Sequence, residues 1–337
     1  YQRRVRGIEM TEMSDLANYE EIKILGRGSF GTVSLVTYKP TNKQYAMKVI
    51  PIGRLDADTQ KYMFQEAEIL KRLDHSNIVH YHASFMRGHM MYMIMEYANF
   101  KSLFEYMNRR IVKNEPFQKE EIAAIAAQIL DALQYLHKER ILHRDLKPEN
   151  IFLHKDNGVI QVKIGDFGLA KILSTLAKGQ SAVGSQFYMP PEIFKRKPYA
   201  YECDVWSFGC VFYIMNALKL PFYDANQQVY INDIQKLQYK PLQDKLAQEV
   251  ITAIFQYQDK RATIKDIRKM EFFNQQAKIE ADRFQEEIVL VQSPVVIPSI
   301  KGLQENFAEV AEVKRSNSAP RVVKPEEATP SGKGGCC

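Results

Sequence analysis

The chain has 337 residues, 45% hydrophobic and 26% charged, with a formal charge of +6. That composition is ordinary for a globular protein, long enough for one two-lobed domain with tails, and its mild, dispersed positive charge points to no nucleic-acid partner. The four cysteines, Cys203, Cys210, Cys336 and Cys337, match neither a disulfide framework nor a zinc site; the longest apolar run, 205–215, is too short to span a bilayer; and no secretory leader opens the chain, so a reducing, cytoplasmic setting is expected.

Residues 1–18 read as a disordered extension. Strand patterning starts at Tyr19 and runs into Gly26-Arg27-Gly28-Ser29-Phe30-Gly31, followed by an alternating β-branched run, 32–38. In a dinucleotide-binding fold the same G-x-G-x-x-G spacing opens a helix. Here it opens a second strand, so the glycines shape a hairpin lid. Glycine suits that place because side chains would hold backbone amides away from phosphate oxygens. A plain glycine-rich hairpin is the alternative. The next strand carries Tyr45-Ala46-Met47-Lys48, and a lysine there taken alone is simply solvated. Residues 57–73 have helical periodicity and bring Glu66 and Glu68. Residues 91–98 form an apolar strand that ends in a polar link. Helix resumes from Phe104, and 120–138 carries an apolar face of Ile122, Ile125, Ile129, Leu133 and Leu136.

That helix delivers the chain to His143-Arg144-Asp145-Leu146-Lys147-Pro148-Glu149-Asn150. Polar groups closely spaced around a proline and flanked by apolar residues are how a polar loop is set on a packed scaffold. Asp145 can take a proton from a hydroxyl, Lys147 can sit against a phosphate, and Asn150 offers a neutral oxygen to a metal ion. Downstream lies Lys163-Ile164-Gly165-Asp166-Phe167-Gly168, where a carboxylate after a buried strand suits a magnesium ion bridging phosphates. The polar stretch 171–183 carries Ser174, Thr175 and Ser181. Ser185 and Pro190-Pro191-Glu192 follow, then Asp204-Val205-Trp206 and Asp259-Lys260-Arg261.

The order of these motifs resembles the eukaryotic serine/threonine protein kinase family, with H-R-D-L-x-x-x-N at 143–150 and D-F-G at 166–168 as its strongest marks. The resemblance covers 19–276 and is most like the NimA-related subgroup. It implies an α+β, two-lobed fold, with a small antiparallel sheet lobe over 19–97, one regulatory helix, and a mainly helical large lobe over 98–276. It implies that ATP lies under the lid, against Leu25, Gly26, Gly28, Gly31, Val33 and Ala46. Lys48 would grip the α- and β-phosphates and be held by Glu66, with Glu68 the alternative. Met95 would guard the pocket, backbone groups of Glu96 and Ala98 would bind the adenine, and Phe152 would pack below it. Ser102 falls at a common ribose contact. Asn150 and Asp166 would hold Mg2+, and Asp145 and Lys147 would act on the substrate hydroxyl and the γ-phosphoryl.

The same resemblance makes 171–183 an activation loop, with phospho-Ser181, or alternatively Thr175, paired to Arg144. Ser185 would bridge Asp145 and Lys147, Arg261 would pair with Glu192, and Asp204 would hold the catalytic-loop backbone. Two departures stand out: Asn99-Phe100-Lys101 replaces the glycines many relatives carry after the hinge, and Pro190 precedes Pro191-Glu192. The resemblance implies protein substrates and a cytoplasmic, cytoskeletal or centrosomal role. A pseudokinase scaffold is the rival; it predicts erosion at Lys48, Asp145, Asn150 or Asp166, and none is eroded.

The tail, 277–337, becomes rich in Pro, Ser, Lys and Glu from Gln292, and disorder is expected there. Arg315-Ser316-Asn317-Ser318-Ala319-Pro320 has the form of a 14-3-3 ligand at phospho-Ser318. The terminal Cys336 and Cys337 resemble doubly prenylated ends and would bring the chain to a membrane only if lipidated; free thiols are the alternative.

Overall fold

The computed structural model describes residues 15–28, 31–166, 185–195, 197–198, 200–224 and 226–275. The small lobe is a five-stranded antiparallel sheet in the order β1-β2-β3-β5-β4. Its strands are β1 (Tyr19–Gly28), β2 (Gly31–Tyr38), β3 (Lys43–Pro51), β4 (Tyr81–Arg87) and β5 (Met90–Glu96). The period-two alternation of a strand sorts their side chains between two faces. Tyr45 and Met47 of β3 join Val36, Tyr38 and Ile94 in a cluster on one face. Ala46 and Ile50, with Met91, Met93 and Met95 of β5, belong to the main core on the other. Lys48 shares the face of Ala46 and Ile50, so the alternation alone aims it toward the large lobe.

Helix α1 (Ala57–Leu70) follows β3, capped by Asp56, whose carboxylate accepts from Thr59 N at 2.9 Å. Met63, Ala67 and Leu70 bury its inner face. The expected helical stretch 57–73 thus runs three residues too long. Leu73 is buried and continues the apolar pattern, but the amides of Arg72 and Leu73 bond three residues back, closing a turn.

The large lobe holds α2 (Leu103–Lys113), α3 (Lys119–Lys138), a hairpin of β6 (Ile151–Asp156) and β7 (Val159–Ile164), α4 (Pro191–Phe194), α5 (Tyr201–Ala217), α6 (Gln227–Lys236), α7 (Lys245–Ile254) and α8 (Ile264–Ile267). The hairpin turns through Asn157 and Gly158, both at positive φ, the pairing a tight two-residue turn requires. Helix α5 is central, with every residue from Cys203 to Met215 buried. It approaches α7 so closely that a Cβ on Gly209 would stand 2.4 Å from Ile254 Cγ2. Trp206 of α5 is fully buried, stacked on Phe222 at 5.5 Å. Truncating such a side chain to alanine costs about 3–5 kcal/mol. Burial drives the Cys203 thiol up to about 12 and raises that of Cys210 further, so both act as apolar packing groups. Among the described residues no helix is long and apolar enough to cross a membrane.

Candidate active site

The site is assembled from the ends of three elements. Helix α3 stops at Lys138, and Ile141 N returns to Leu136 O at 2.8 Å, turning the chain toward α5. There Asp204, fully buried in the first turn of α5, accepts hydrogen bonds from His143 N and Arg144 N, each at 2.9 Å. His137 Nε2 lies 2.9 Å from the same carboxylate. Burial pushes the Asp204 carboxyl up, but these bonds and the nearby histidines outweigh it, so it is held below the ordinary range. A charged acceptor thus fixes two consecutive loop amides and holds Arg144 at a φ of +68°.

With the loop backbone pinned, its side chains converge. Lys147 Nζ donates to Asp145 Oδ2 at 2.7 Å, and Asn150 Nδ2 donates to the same oxygen at 3.0 Å and to the Asp145 carbonyl at 2.8 Å. Pro148 starts the short turn that brings Asn150 back. Asn150 O in turn accepts from Gly165 N at 3.0 Å, which ties the loop to the end of β7. Gly165 is packed so tightly that a Cβ would meet Val79 Cγ2 at 3.0 Å. Next to it stands Asp166, at a φ of +56°, accepting from Lys48 Nζ at 2.6 Å. Burial pushes the Asp166 carboxyl up, and the Lys48 ammonium more than reverses that, leaving it below the ordinary carboxylate range.

The remaining sequence-predicted residues are placed by the sheet and by the segments that follow it. Ala46 pairs across the sheet with Met95, and Lys48 with Val33 on one side and Met93 on the other. Gly26 pairs with Val33, and Gly28 with Gly31. Gly31 has a φ of +148°, and a Cβ there would stand 2.1 Å from Val49 O, so the hairpin needs glycine for backbone reasons alone. Leu25 is exposed near the end of β1, Ala98 is half-buried after β5, and Phe152, half-buried at the start of β6, bridges to Ser102. The Ser102 hydroxyl caps α2, accepting from Glu105 N at 3.2 Å.

Among the described residues, Lys48 bonds the Asp166 carboxylate. Of the two glutamates weighed for it, Glu68 instead bonds Lys71 at 2.7 Å and Ser84 at 2.8 Å. The Glu66 side chain lies outside the described residues, as do Ser174, Thr175, Ser181, the Ser185 side chain, Ser318, Cys336 and Cys337. Arg261 and Glu192 form a buried two-point pair, at 2.6 and 3.0 Å, beneath the Trp206 ring.

Three contacts escaped sequence reasoning. His137 on Asp204 follows from its place in the last turn of α3. Asn99 pairs its side-chain amide with both backbone groups of Lys155, at 3.0 and 2.8 Å. Lys163, buried in β7, bonds Glu96 at 2.7 Å. A lysine inside the buried strand Val162-Lys163-Ile164 was the available signal, since a buried cation needs a counter-charge.

The donor set fits a metal-bound nucleotide. Asn150 uses its amide nitrogen on Asp145, which leaves its oxygen as the metal-facing kind of atom, and Asp166 supplies a carboxylate. Two protein oxygens completed by phosphate and water are the usual setting for magnesium. Lys48 and Lys147 supply positive charge for phosphates.

A protein kinase domain profile matches residues 19–273. The chain is 37% identical over 263 residues to the probable serine/threonine-protein kinase nek3 of Dictyostelium discoideum, covering 76% of this chain and 23% of that protein. It is 35% identical over 235 residues to serine/threonine-protein kinase Nek8 of Danio rerio, covering 70% and 33%. With serine/threonine-protein kinase Nek3 of Mus musculus it shares 38% over 206 residues, covering 61% and 39%. The matched segments thus span only about a quarter to two fifths of these curated relatives. A polar loop bonded to Gly165, a lysine from the sheet bonded to the neighbouring Asp166, and a profile running from β1 to beyond α8 have one explanation: the chain belongs to the protein kinase family and is similar to its NimA-related branch.

Proposed function

We propose that this chain is the catalytic domain of a serine/threonine protein kinase, moving the γ-phosphoryl group of ATP to hydroxyls of protein substrates with Mg2+. The observation that carries this is the single bonded network of Lys147, Asp145, Asn150, Gly165, Asp166 and Lys48. Mg-ATP supplies the transferable group and a cation that neutralises its charge. Asn150 and Asp166 would hold the cation, and Lys48 the phosphates. Asp145 orients the substrate hydroxyl and takes its proton, and Lys147, already against Asp145, stabilises charge on the transferring group. Most of the rate gain in such chemistry is positioning, which the Asp204 anchor supplies.

Phosphate transfer to a peptide array, with ATP binding measured in parallel, tests the reading. Asp145→Asn is expected to lower kcat by about 10²–10⁴ while ATP still binds. No transfer by the unaltered chain, or equal loss of transfer and ATP binding in the variant, contradicts these roles.

A further inference from the structure

The segment that joins the lobes is fastened at both ends. Downstream, Asn99 clasps the Lys155 backbone, Phe100 N donates to Leu153 O at 2.9 Å, and Leu153 N donates to Lys101 O at 2.8 Å. Residues 99–102 therefore lie against β6, with Ser102 in an isolated bridge to Phe152. Of the residues after the hinge, Asn99 makes this attachment with its side chain, and Phe100 and Lys101 make it with backbone groups.

Upstream, Glu96, the last residue of β5, is held on two sides. Its amide donates to His80 O at 2.8 Å, and its Oε2 accepts from His80 N at 3.2 Å. Its Oε1 lies 2.7 Å from Lys163 Nζ of β7, whose side chain is only 9% exposed. The loop before β4 is itself stitched to β7: Ile164 N donates to Asn77 O and Val79 N to Ile164 O, each at 2.9 Å, and Asn77 Nδ2 donates to Val162 O at 2.9 Å. Asn77 also reaches Gln128 of α3 at 2.9 Å. The small lobe thus meets the large lobe at a junction of three segments, and Lys163–Glu96 is the ion pair within it. Residues 97–98 are left as the short stretch between the two attachments.

We propose that Lys163 and Glu96 are positioning residues that latch the two lobes together and set how fast nucleotide leaves. This rests on the kinase reading above. Lobe rotation must lengthen or break a partly buried ion pair beside the pivot, and rotation is what opens the cleft to release product. The latch lies three residues before Asp166, on the strand that carries Asp166 into the cleft, so the same strand responds to the hinge and presents the metal-binding carboxylate.

Stopped-flow displacement of a fluorescent ADP analogue from the full chain tests it, beside hydrogen exchange of 96–102 in the nucleotide-free chain. Lys163→Met keeps the apolar stem without leaving a buried charge unpaired. It is expected to release ADP about fivefold faster, the scale of losing one ion pair, and to exchange faster at the hinge. Glu96→Gln, combined with Lys163→Met, is expected to add no further acceleration, because both remove the same contact. Lys163→Arg is expected to restore slow release. Unchanged ADP release and hinge exchange in a folded Lys163→Met chain, or purely additive effects in the double variant, overturn the latch. An unaltered chain that binds no nucleotide overturns the kinase reading and the latch together, so the two failures are distinct.

Discussion

Arg144 lies between His143, whose amide is also anchored to Asp204, and Asp145, the proposed base. Its amide is bonded to Asp204, its φ is positive, and its Nε is buried with no hydrogen-bond partner among the described residues. A buried guanidinium nitrogen without an acceptor is costly, and an incoming anion would relieve it. Phosphorylation of Ser181 would supply about −1.5 to −2 charges for that purpose. Ser181→Ala is expected to lower activity about tenfold, the scale of losing a charge-assisted bond. Phosphatase treatment is expected to depress the unaltered chain and leave Arg144→Gln unmoved. Equal sensitivity of the two to phosphatase would contradict the pairing. At this scale the side chains proposed for the chemistry could be picked out in the linear order, because that chemistry demands those residue types close together. The anchors were less so: His137 and Lys163 meet partners brought from other elements.

Among the elements, α5 shows how closely packing sets the limits. Its sequence is apolar all round, as a helix buried on all sides must be. Gly209 in its middle is unfavourable for helix propensity, yet the space beside Ile254 of α7 admits no methyl group. Gly209→Ala gains up to about 1 kcal/mol of helix propensity and incurs an overpacking cost of about 1–3 kcal/mol. The expected net result is destabilisation, read as a lower denaturant midpoint with an unchanged slope. A rise in midpoint would show that α5 and α7 can separate cheaply. The apolar run over 205–215 was visible in the sequence. The helix that presses on Gly209 was not, because spacing along one helix carries no information on which neighbour packs there.

For the whole molecule, acid sensitivity follows from three imidazoles held neutral. Burial pushes His82 down to about 3, with the charges of His80 and Lys43 adding to it. Burial also lowers His75 and His143, for the latter against the pull of Asp204 and Asp145. Each binds a proton more weakly folded than unfolded, where the ordinary value is near 6.5. Stability is therefore full above about pH 6.5 and falls as pH drops below it, by up to about 1.4 kcal/mol per unit for each histidine kept neutral. Asp204, whose carboxyl is depressed, adds a further loss only below its ordinary value of 3.8. Thermal melts from about pH 7.5 down to about pH 5 are expected to show a steadily falling Tm, less steep in His82→Phe. A flat profile would mean that these rings protonate in place.

By itself the sequence determined the family, the alternation that turns Lys48 toward the cleft, and the residues able to perform the chemistry. Each of these is written in contiguous residues or in a short period, and local backbone geometry converts it directly into placement. The tertiary structure alone decided that Lys48 bonds Asp166, that Glu68 is turned to Lys71 and Ser84, and that Lys163 closes on Glu96 at the hinge. Those partners lie on separate elements, and a charge finds its counter-charge only after burial has removed water as the competing partner.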